Sequence, residues 1–203
     1  MSKDAYHHGD LKNALIQAGA EILAREGTAA LSLRKVAAKA GVSHSAPYAH
    51  FKDKQALIAA ISADGFNRLY EQVSLTAESY AEDLPAMLLK VANAYASFAL
   101  QNPACFKVMF SGVLEKEKEY PEFVDASQRN FRQLEELVAQ WQAGGLLKAG
   151  DVQLQATALW SLVHGFIALL LENQISSRIV NRYPINVLLC RLVDQITLVD
   201  LEC

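Results

Sequence analysis

One short stretch, from residue 44 to residue 54, carries side chains suited to contact a nucleic acid. Residues 44–50 are mostly small or polar, and only Pro47 and Tyr48 among them are both bulky and apolar. Such side chains fit the major groove of B-DNA, which is about 12 Å wide. Lys52 and Lys54 follow, where they could meet phosphates as the chain leaves the groove. This stretch is therefore a candidate for contact with DNA.

The charge distribution agrees with a negatively charged partner at one end of the chain. The net formal charge is −3, but residues 1–60 carry eight Lys or Arg and five Asp or Glu, a net charge of +3. Residues 61–203 carry eleven Lys or Arg and seventeen Asp or Glu, a net charge of −6. A basic N-terminal quarter on an acidic body indicates that only that quarter approaches a polyanion.

Two short helices joined by a tight turn are predicted to position these side chains. The first follows Ser32, a suitable N-cap, and stops at Gly41. Ser43 can cap the second, which we expect to extend to about His50. Gly41 allows the bend and Val42 can pack in the angle between the helices, which is the helix-turn-helix pattern. The same kind of turn also joins core helices in other proteins, so the basic cluster is needed to favour DNA binding.

Apolar residues recur at helical spacing along almost the whole chain. The first helix has them at steps of three and four from Leu11 to Ile22, and it ends near Gly27. With 52% apolar and 20% charged residues the chain is not intrinsically disordered, and no alternating pattern predicts a sheet. We predict an all-α protein of about nine helices, with an N-terminal three-helix helix-turn-helix domain (1–54) and a larger C-terminal helical bundle (55–203). A long fourth helix is expected to start at Asp53, and the later main helices are expected over the ranges 84–100, 121–142, 151–175 and 184–202.

The helix expected over residues 151–175 is apolar on nearly all sides. Its continuous apolar run, 156–171, is shorter than the roughly 18–20 residues that span a bilayer, so we expect a core helix that also meets a partner subunit. Together with the helix over 184–202 it could form a four-helix dimer interface from two chains. Its residues small enough to allow close approach are Ala156, Ser161, Gly165 and Ala168.

Two stretches resemble a known family. The N-terminal one reads ALSLRKVAAKAGVS over Ala30–Ser43 and YAHFKDKQAL over Tyr48–Leu57, and it resembles the DNA-binding domain of the tetracycline-repressor (TetR) family. The C-terminal one reads GLLKAGD from Gly145 and ALWSLVHG from Ala158, and it is similar to a subgroup of C-terminal domains with a Trp…His-Gly signature. The departure is Pro47, where the family usually has leucine or a similar residue.

The resemblance implies roles for individual residues. The residues implied to approach base edges are Arg34, His44, Ser45 and Ala46. Those implied to contact phosphates are Ser32, Tyr48, His50 and Lys54, with Lys52 beside them. Arginine can pair with guanine O6 and N7, and a tyrosine hydroxyl or lysine ammonium suits phosphate oxygens.

The family also implies a small ligand among the middle helices. The candidate pocket residues are Phe98, Phe106, Met109, Phe110, Trp141, Trp160 and His164, with Phe131 nearby in the same aromatic-rich region. At each single position, a packed core is the alternative interpretation. We expect His164 to be a buried neutral histidine that bonds a nearby backbone group. Cys105 and Cys190 are expected to be inert core thiols.

These observations predict a ligand-responsive transcriptional regulator, a repressor, that acts in the cytoplasm as a homodimer on a palindromic operator. The polar N-terminus has no apolar signal-peptide core. The alternatives are an all-helical enzyme or a small-molecule-binding protein that does not act on DNA. An enzyme could use His7, His8, His44 or His50, but no HExxH, histidine–carboxylate cluster or Gly-rich phosphate loop is present. We expect no catalytic residues, no metal and no cofactor.

Overall fold

The computed structural model describes residues 8–112, 114 and 117–203. In these residues the secondary structure is helical, apart from one isolated antiparallel bridge between Leu147 and Thr197. The predicted all-α fold of about nine helices is confirmed. The helices are α1 (His8–Ala30), α2 (Leu33–Lys39), α3 (Lys54–Ser79), α4 (Leu84–Gln101), α5 (Pro103–Met109), α6 (Pro121–Ala143), α7 (Val152–Leu171), α8 (Ser177–Val180) and α9 (Ile185–Asp194), with 3₁₀ helices at Ala46–Ala49 and Glu117–Glu119.

The chain forms two compact units that differ from a simple division along the sequence. The described residues up to Asn67 join Asn102–Ser127 in unit 1. Unit 2 contains Arg68–Gln101 and Gln128–Cys203. The boundary between the helix-turn-helix domain and the C-terminal helical bundle, expected after residue 54, stays a prediction.

Unit 1 is held together by the packing of α1, α3 and α5. Helix α1 contacts both α2 and α5. Helix α5 lies close to α3 at Gly65, where an added Cβ would be 2.6 Å from Met109 Sδ and 2.8 Å from Cys105 Sγ. Since real side chains do not approach so closely, the absence of a side chain at Gly65 is what lets these two helices touch.

The first half of the helix-turn-helix has the local structure that the sequence predicts. The backbone N–H of Lys35 donates to Ser32 Oγ at 3.3 Å, so Ser32 is the N-cap of α2. Gly41 has a φ of +69°, which favours glycine, and the N–H of Val42 donates back to the carbonyl of Ala37 at 3.0 Å. The helix therefore ends where the turn was expected.

The third helix, predicted from Ser43 to about His50, is shorter than expected. Only Ala46–Ala49 is helical, and it is a 3₁₀ helix. Pro47 explains the difference, because it has no N–H to donate to Ser43 in an α-helical turn. Tyr48 N–H instead donates to the carbonyl three residues back, at Ser45, over 3.1 Å. The Ser43 side chain does not cap this helix, since its Oγ bonds Ser45 Oγ at 3.1 Å.

In unit 2, α7 and α9 pack on each other and both contact α4. The last helix ends at Asp194, and the prediction that it extends to residue 202 is wrong. The chain leaves the helix because Thr197 pairs with Leu147 and the N–H of Leu198 donates to the carbonyl of Leu146 at 2.9 Å. The prediction that Cys190 is an inert core thiol is also wrong. Cys190 forms a disulfide with Cys203.

Helix α7 begins at the cap Asp151, whose Oδ1 accepts from the N–H of Leu154 at 2.9 Å, and ends at Leu171, four residues earlier than predicted. Its 20 residues are long and apolar enough to cross a membrane, judged by length and composition only. One stripe of the helix is buried within unit 2, as in a core helix: Ala156, Leu159, Val163 and Ile167. Ala156 therefore does not belong to an outward-facing surface, unlike Ser161, which is exposed.

Replacing the cap of α3 is expected to destabilise the chain. Asp53 Oδ1 accepts from the N–H of Ala56 at 2.8 Å, which satisfies one of the free donors at the start of a 26-residue helix. Asp53→Ala should lower the free energy of unfolding by about 1 kcal/mol. Urea unfolding followed by circular dichroism measures the change. Asp53→Asn keeps a cap oxygen and should lie within a few tenths of a kcal/mol of wild type; equal losses in both variants would contradict the cap.

Candidate nucleic-acid interface and small-molecule site

Three of the predicted DNA-contacting side chains, in α2, the turn that follows and the 3₁₀ helix Ala46–Ala49, are exposed and have no polar partner among the described residues. Arg34 lies on the surface of α2 and makes no hydrogen bond or ion pair with any residue that the structure describes. His44 is also exposed, and Tyr48 has 56% of its surface in solvent. A large aromatic side chain this exposed contributes little to the core, so its hydroxyl is available to an outside partner.

Four other predicted contacts are partly used within unit 1. The Ser32 hydroxyl caps α2, and the Ser45 hydroxyl bonds Ser43. Ala46 and His50 are half-buried, and the His50 ring is tilted at 54° to that of Phe51 with centroids 6.3 Å apart. The residues assigned to bases and phosphates are thus close in the chain but unequal in accessibility.

Both predicted phosphate-binding lysines have internal partners. Lys52 Nζ donates to Glu119 Oε2 at 2.9 Å and lies 5.2 Å from the ring centroid of Tyr120. This hydrogen bond to Glu119 raises the pKa of Lys52, which stays a cation at neutral pH. Lys54 Nζ donates to the carbonyl of Thr28 at 2.7 Å, near the end of α1. Sequence analysis did not find Glu119 or Thr28, because both are remote in sequence.

Unit 2 contains a polar cluster in an aromatic surrounding. The Tyr95 hydroxyl and His164 Nδ1 share a hydrogen bond of 2.7 Å, and Trp160 Nε1 donates to Tyr95 Oη at 3.3 Å. Because the tyrosine oxygen accepts from Trp160, its own proton can be donated to a neutral His164. Burial raises the pKa of Tyr95 and lowers the pKa of His164, so both groups are neutral at pH 7.

This cluster adjoins a groove in the surface of unit 2. The ring of Phe131 meets that of Trp160 edge-on, with centroids 6.1 Å apart. Phe131 also lines a groove of about 390 Å³, together with Asp151, Gln153, Leu154 and Thr157. The groove is open to solvent, and polar and apolar groups meet in its lining.

The seven predicted pocket residues are divided between the two units, and their role as a ligand pocket stays a prediction. Phe106, Met109 and Phe110 belong to unit 1, where the ring of Phe106 lies 5.0 Å from that of Phe110. Phe98, Trp141, Trp160 and His164 belong to unit 2. Within the second group Trp141 is fully buried, whereas Trp160 and His164 are half-buried beside each other.

The sequence predicts that His164 is buried and bonds a nearby backbone group. In the structure it is half-buried, and its Nδ1 bonds the hydroxyl of Tyr95. The sequence did not indicate Tyr95 as a site residue. Only its position in α4, at helical spacing from the buried residues of that helix, could have suggested it. His7 lies outside the described residues, and so does the side chain of His8. Among the residues that the structure describes, no group of three or more His, Cys, Asp or Glu could hold a metal ion.

Two family signatures match the chain. The one described as "Bacterial regulatory proteins, tetR family" matches residues 15–61, which include the helix-turn-helix. The one described as "Tetracyclin repressor-like, C-terminal domain" matches residues 88–194. The chain belongs to the TetR family. Members of this family are DNA-binding transcriptional regulators and not enzymes. The subgroup with the Trp…His-Gly signature stays a prediction.

Individual relatives agree with this assignment. The chain is 28% identical over 111 residues to the uncharacterized HTH-type transcriptional regulator YobS of Bacillus subtilis (strain 168), and the match covers 55% of this chain and 57% of the length of YobS. A protein of unknown function from Rhodococcus sp. RHA1 has the same fold, with a TM-score of 0.80, 29% identity and coverage of 95% of this chain and 96% of that one. The TetR-family regulator PfmR of Thermus thermophilus shares the fold at a TM-score of 0.62 and 21% identity, with coverage of 76% and 84%.

We expect the Tyr95–His164 pair to make the stability of this TetR-family chain sensitive to pH. Because burial lowers the pKa of His164 below its usual 6.5, the unfolded chain takes up a proton more readily than the folded chain. The contribution of neutral His164 to the free energy of unfolding is complete above about pH 6.5. It is lost as the pH falls below that value.

Wild type should therefore lose more thermal stability between about pH 8 and pH 5 than His164→Gln, which does not titrate. Melting curves at closely spaced pH values measure the difference, in which carboxylate titrations common to both proteins cancel. Tyr95→Phe keeps the histidine and should retain a fall with pH. Parallel curves for wild type and His164→Gln would show that His164 titrates alike in both states.

Proposed function

We propose that this chain is a homodimeric, ligand-responsive repressor that binds a palindromic operator through the helix-turn-helix of unit 1. The observation that carries this proposal is the exposure of Arg34, His44 and Tyr48 within the segment that matches the family's DNA-binding domain. Arg34 is suited to pair with guanine, and Tyr48 to bind phosphate. As a DNA-binding regulator, the protein would act in the cytoplasm.

The surface of α7 supports the dimer. Opposite its buried stripe, Leu154, Ala158, Ser161 and Leu169 are exposed, and Gly165 lies between them in sequence at helical spacing. A Cβ at Gly165 would meet no atom within 4 Å, so the space beside it is open to another helix. We infer that α7 and α9 of two chains form a four-helix interface. Such a dimer can hold two DNA-binding heads about 34–36 Å apart, which is one helical turn of DNA.

The groove and the polar cluster of unit 2 support an effector site there. We propose that a small molecule with an apolar body and a hydrogen-bonding group contacts Phe131, Trp160 and the Tyr95–His164 pair. An effector shifts the population of DNA-binding conformations only if it binds one conformation more tightly than the other. In this proposal the effector favours the conformation whose heads no longer match the operator spacing.

A gel shift with the DNA that flanks the protein's own coding region tests the proposed function. The full chain should retard one fragment at low salt in the presence of excess unrelated DNA, and sedimentation should give twice the mass of one chain. Retardation without sequence preference, or no retardation at all, would contradict the proposal. A chain that binds small molecules but no DNA would support the alternative of a small-molecule-binding protein.

Arg34 is expected to carry sequence preference. Arg34→Ala should lower the discrimination against a changed base pair by about 1–3 kcal/mol, because a bidentate contact to guanine is lost. Competition gel shifts with single base-pair variants of the operator measure this preference. Tyr48→Phe is the matched comparison: it should weaken binding to all sequences alike. If Arg34→Ala weakens every sequence equally, the assigned base contact is wrong.

Glu119 is expected to weaken DNA binding, because it competes with phosphate for Lys52. Glu119→Gln should tighten operator binding by roughly 3–10-fold at low salt and steepen the salt dependence by about one counterion. Fluorescence anisotropy across a salt series measures both quantities. The effect should vanish when Lys52→Met is added to Glu119→Gln. An unchanged affinity in Glu119→Gln would mean that Lys52 does not reach the DNA.

A further inference from the structure

We infer that Cys190 and Cys203 form a redox-active disulfide, a site for thiol–disulfide exchange with small dithiols, whose reduction releases segment 195–203 from unit 2. The two cysteines are 13 residues apart and their Cα atoms are separated by 5.6 Å. Cys190 lies in α9 and is only 4% exposed, whereas Cys203 is exposed. Of the two cysteines in the disulfide, Cys203 is therefore accessible to solvent and Cys190 is protected from it.

Segment 195–203 is held to unit 2 by few other interactions in the part of the chain that the structure describes. Thr197 forms the bridge with Leu147, and Leu198 donates to the carbonyl of Leu146 at 2.9 Å. At the end of α9, the N–H of Ile196 donates to the carbonyl of Val193 at 3.0 Å, and Thr197 donates through its N–H and Oγ1 to the carbonyl of Asp194. The N–H of Leu201 donates to Asp194 Oδ1 at 2.7 Å, and the Leu201 side chain is 8% exposed. A segment with so few contacts opens at a small free-energy cost once its crosslink is removed.

The position of the disulfide favours a local role. It joins α9 only to the segment that directly follows it, so it constrains this segment and not the packing of α4, α7 and α9. A DNA-binding regulator acts where thiols are kept reduced, and disulfides found there are usually transient or sensing. This last step rests on the proposed function; the position and the contacts do not.

The exchange reaction is balanced by an external dithiol. Its thiolate attacks the exposed Cys203 sulfur, the S–S bond breaks, and Cys190 leaves as a thiolate that takes up a proton. The second thiol of the dithiol then attacks the mixed disulfide, which frees Cys203 as a thiol. The protein disulfide gains two electrons and two protons, and the dithiol becomes a cyclic disulfide. An oxidised thiol compound such as glutathione disulfide reverses the reaction.

Alkylation followed by intact-mass measurement tests the bond itself. The full-length protein is treated with glutathione disulfide, denatured without reductant and labelled with iodoacetamide. It should take up one label, on Cys105, whose thiol is free. Protein treated with dithiothreitol under native conditions before labelling should take up three. Three labels on the oxidised sample, or one on the reduced sample, would overturn the inference.

Limited proteolysis tests the release of the segment. Reduction should speed chymotrypsin cleavage at Leu198 or Leu201 by at least about ten-fold, because the segment is no longer tethered to α9. Cys203→Ser should show the reduced behaviour with or without dithiothreitol, and Cys105→Ser should respond like wild type. Equal cleavage of the oxidised and reduced protein would overturn the inference. None of these measurements requires DNA, so their outcome is separate from that of the operator gel shift.

Discussion

The proposed DNA-binding surface depends on a small core beneath the helix-turn-helix. Val36 and Ala37 of α2 are fully buried, Phe51 is 2% exposed, and Pro47 is buried in the 3₁₀ helix that contacts α2. Burial of apolar surface stabilises the folded state by about 25 cal/mol per Å². The packing of these side chains therefore fixes the angle between α2 and the 3₁₀ helix Ala46–Ala49. Because Pro47 has no N–H, the residues next to it, which include the exposed Tyr48, lie in a 3₁₀ helix and not in an α-helix.

The basic character of unit 1 is partly used inside the protein. Lys35 pairs with Glu26, Lys39 pairs with Glu21, and Lys52 pairs with Glu119. The pair with Lys39 also lowers the pKa of Glu21. Exposed pairs of this kind contribute only about 0–1 kcal/mol, so a phosphate can replace the carboxylate at small cost. Counting charges along the chain therefore indicates which end is proposed to meet DNA, but it overstates how many cations are free to bind it.

Unit 2 combines a narrow buried stripe of α7 with polar side chains set among aromatic rings. In the proposed effector site, a purely apolar interior would give a ligand no orientation, whereas Tyr95, Trp160 and His164 supply donors and acceptors at defined positions. The same half-buried histidine links the site to pH. Segment 195–203 adds a second chemical sensitivity, because a single S–S bond and a few backbone contacts hold it to the unit.

Local interactions were predictable from sequence. The caps Ser32, Asp53 and Asp151 each bond an N–H three residues away, and the all-α fold follows from the spacing of apolar residues. Pro47 also acts locally, and stricter use of the proline rule would have shortened the third helix. Tertiary structure alone decided the pairing of Tyr95 with His164, 69 residues apart, and of Lys52 with Glu119, 67 apart. It also decided that the last helix stops at Asp194. These contacts join segments remote in sequence, and no local preference specifies which remote segments meet.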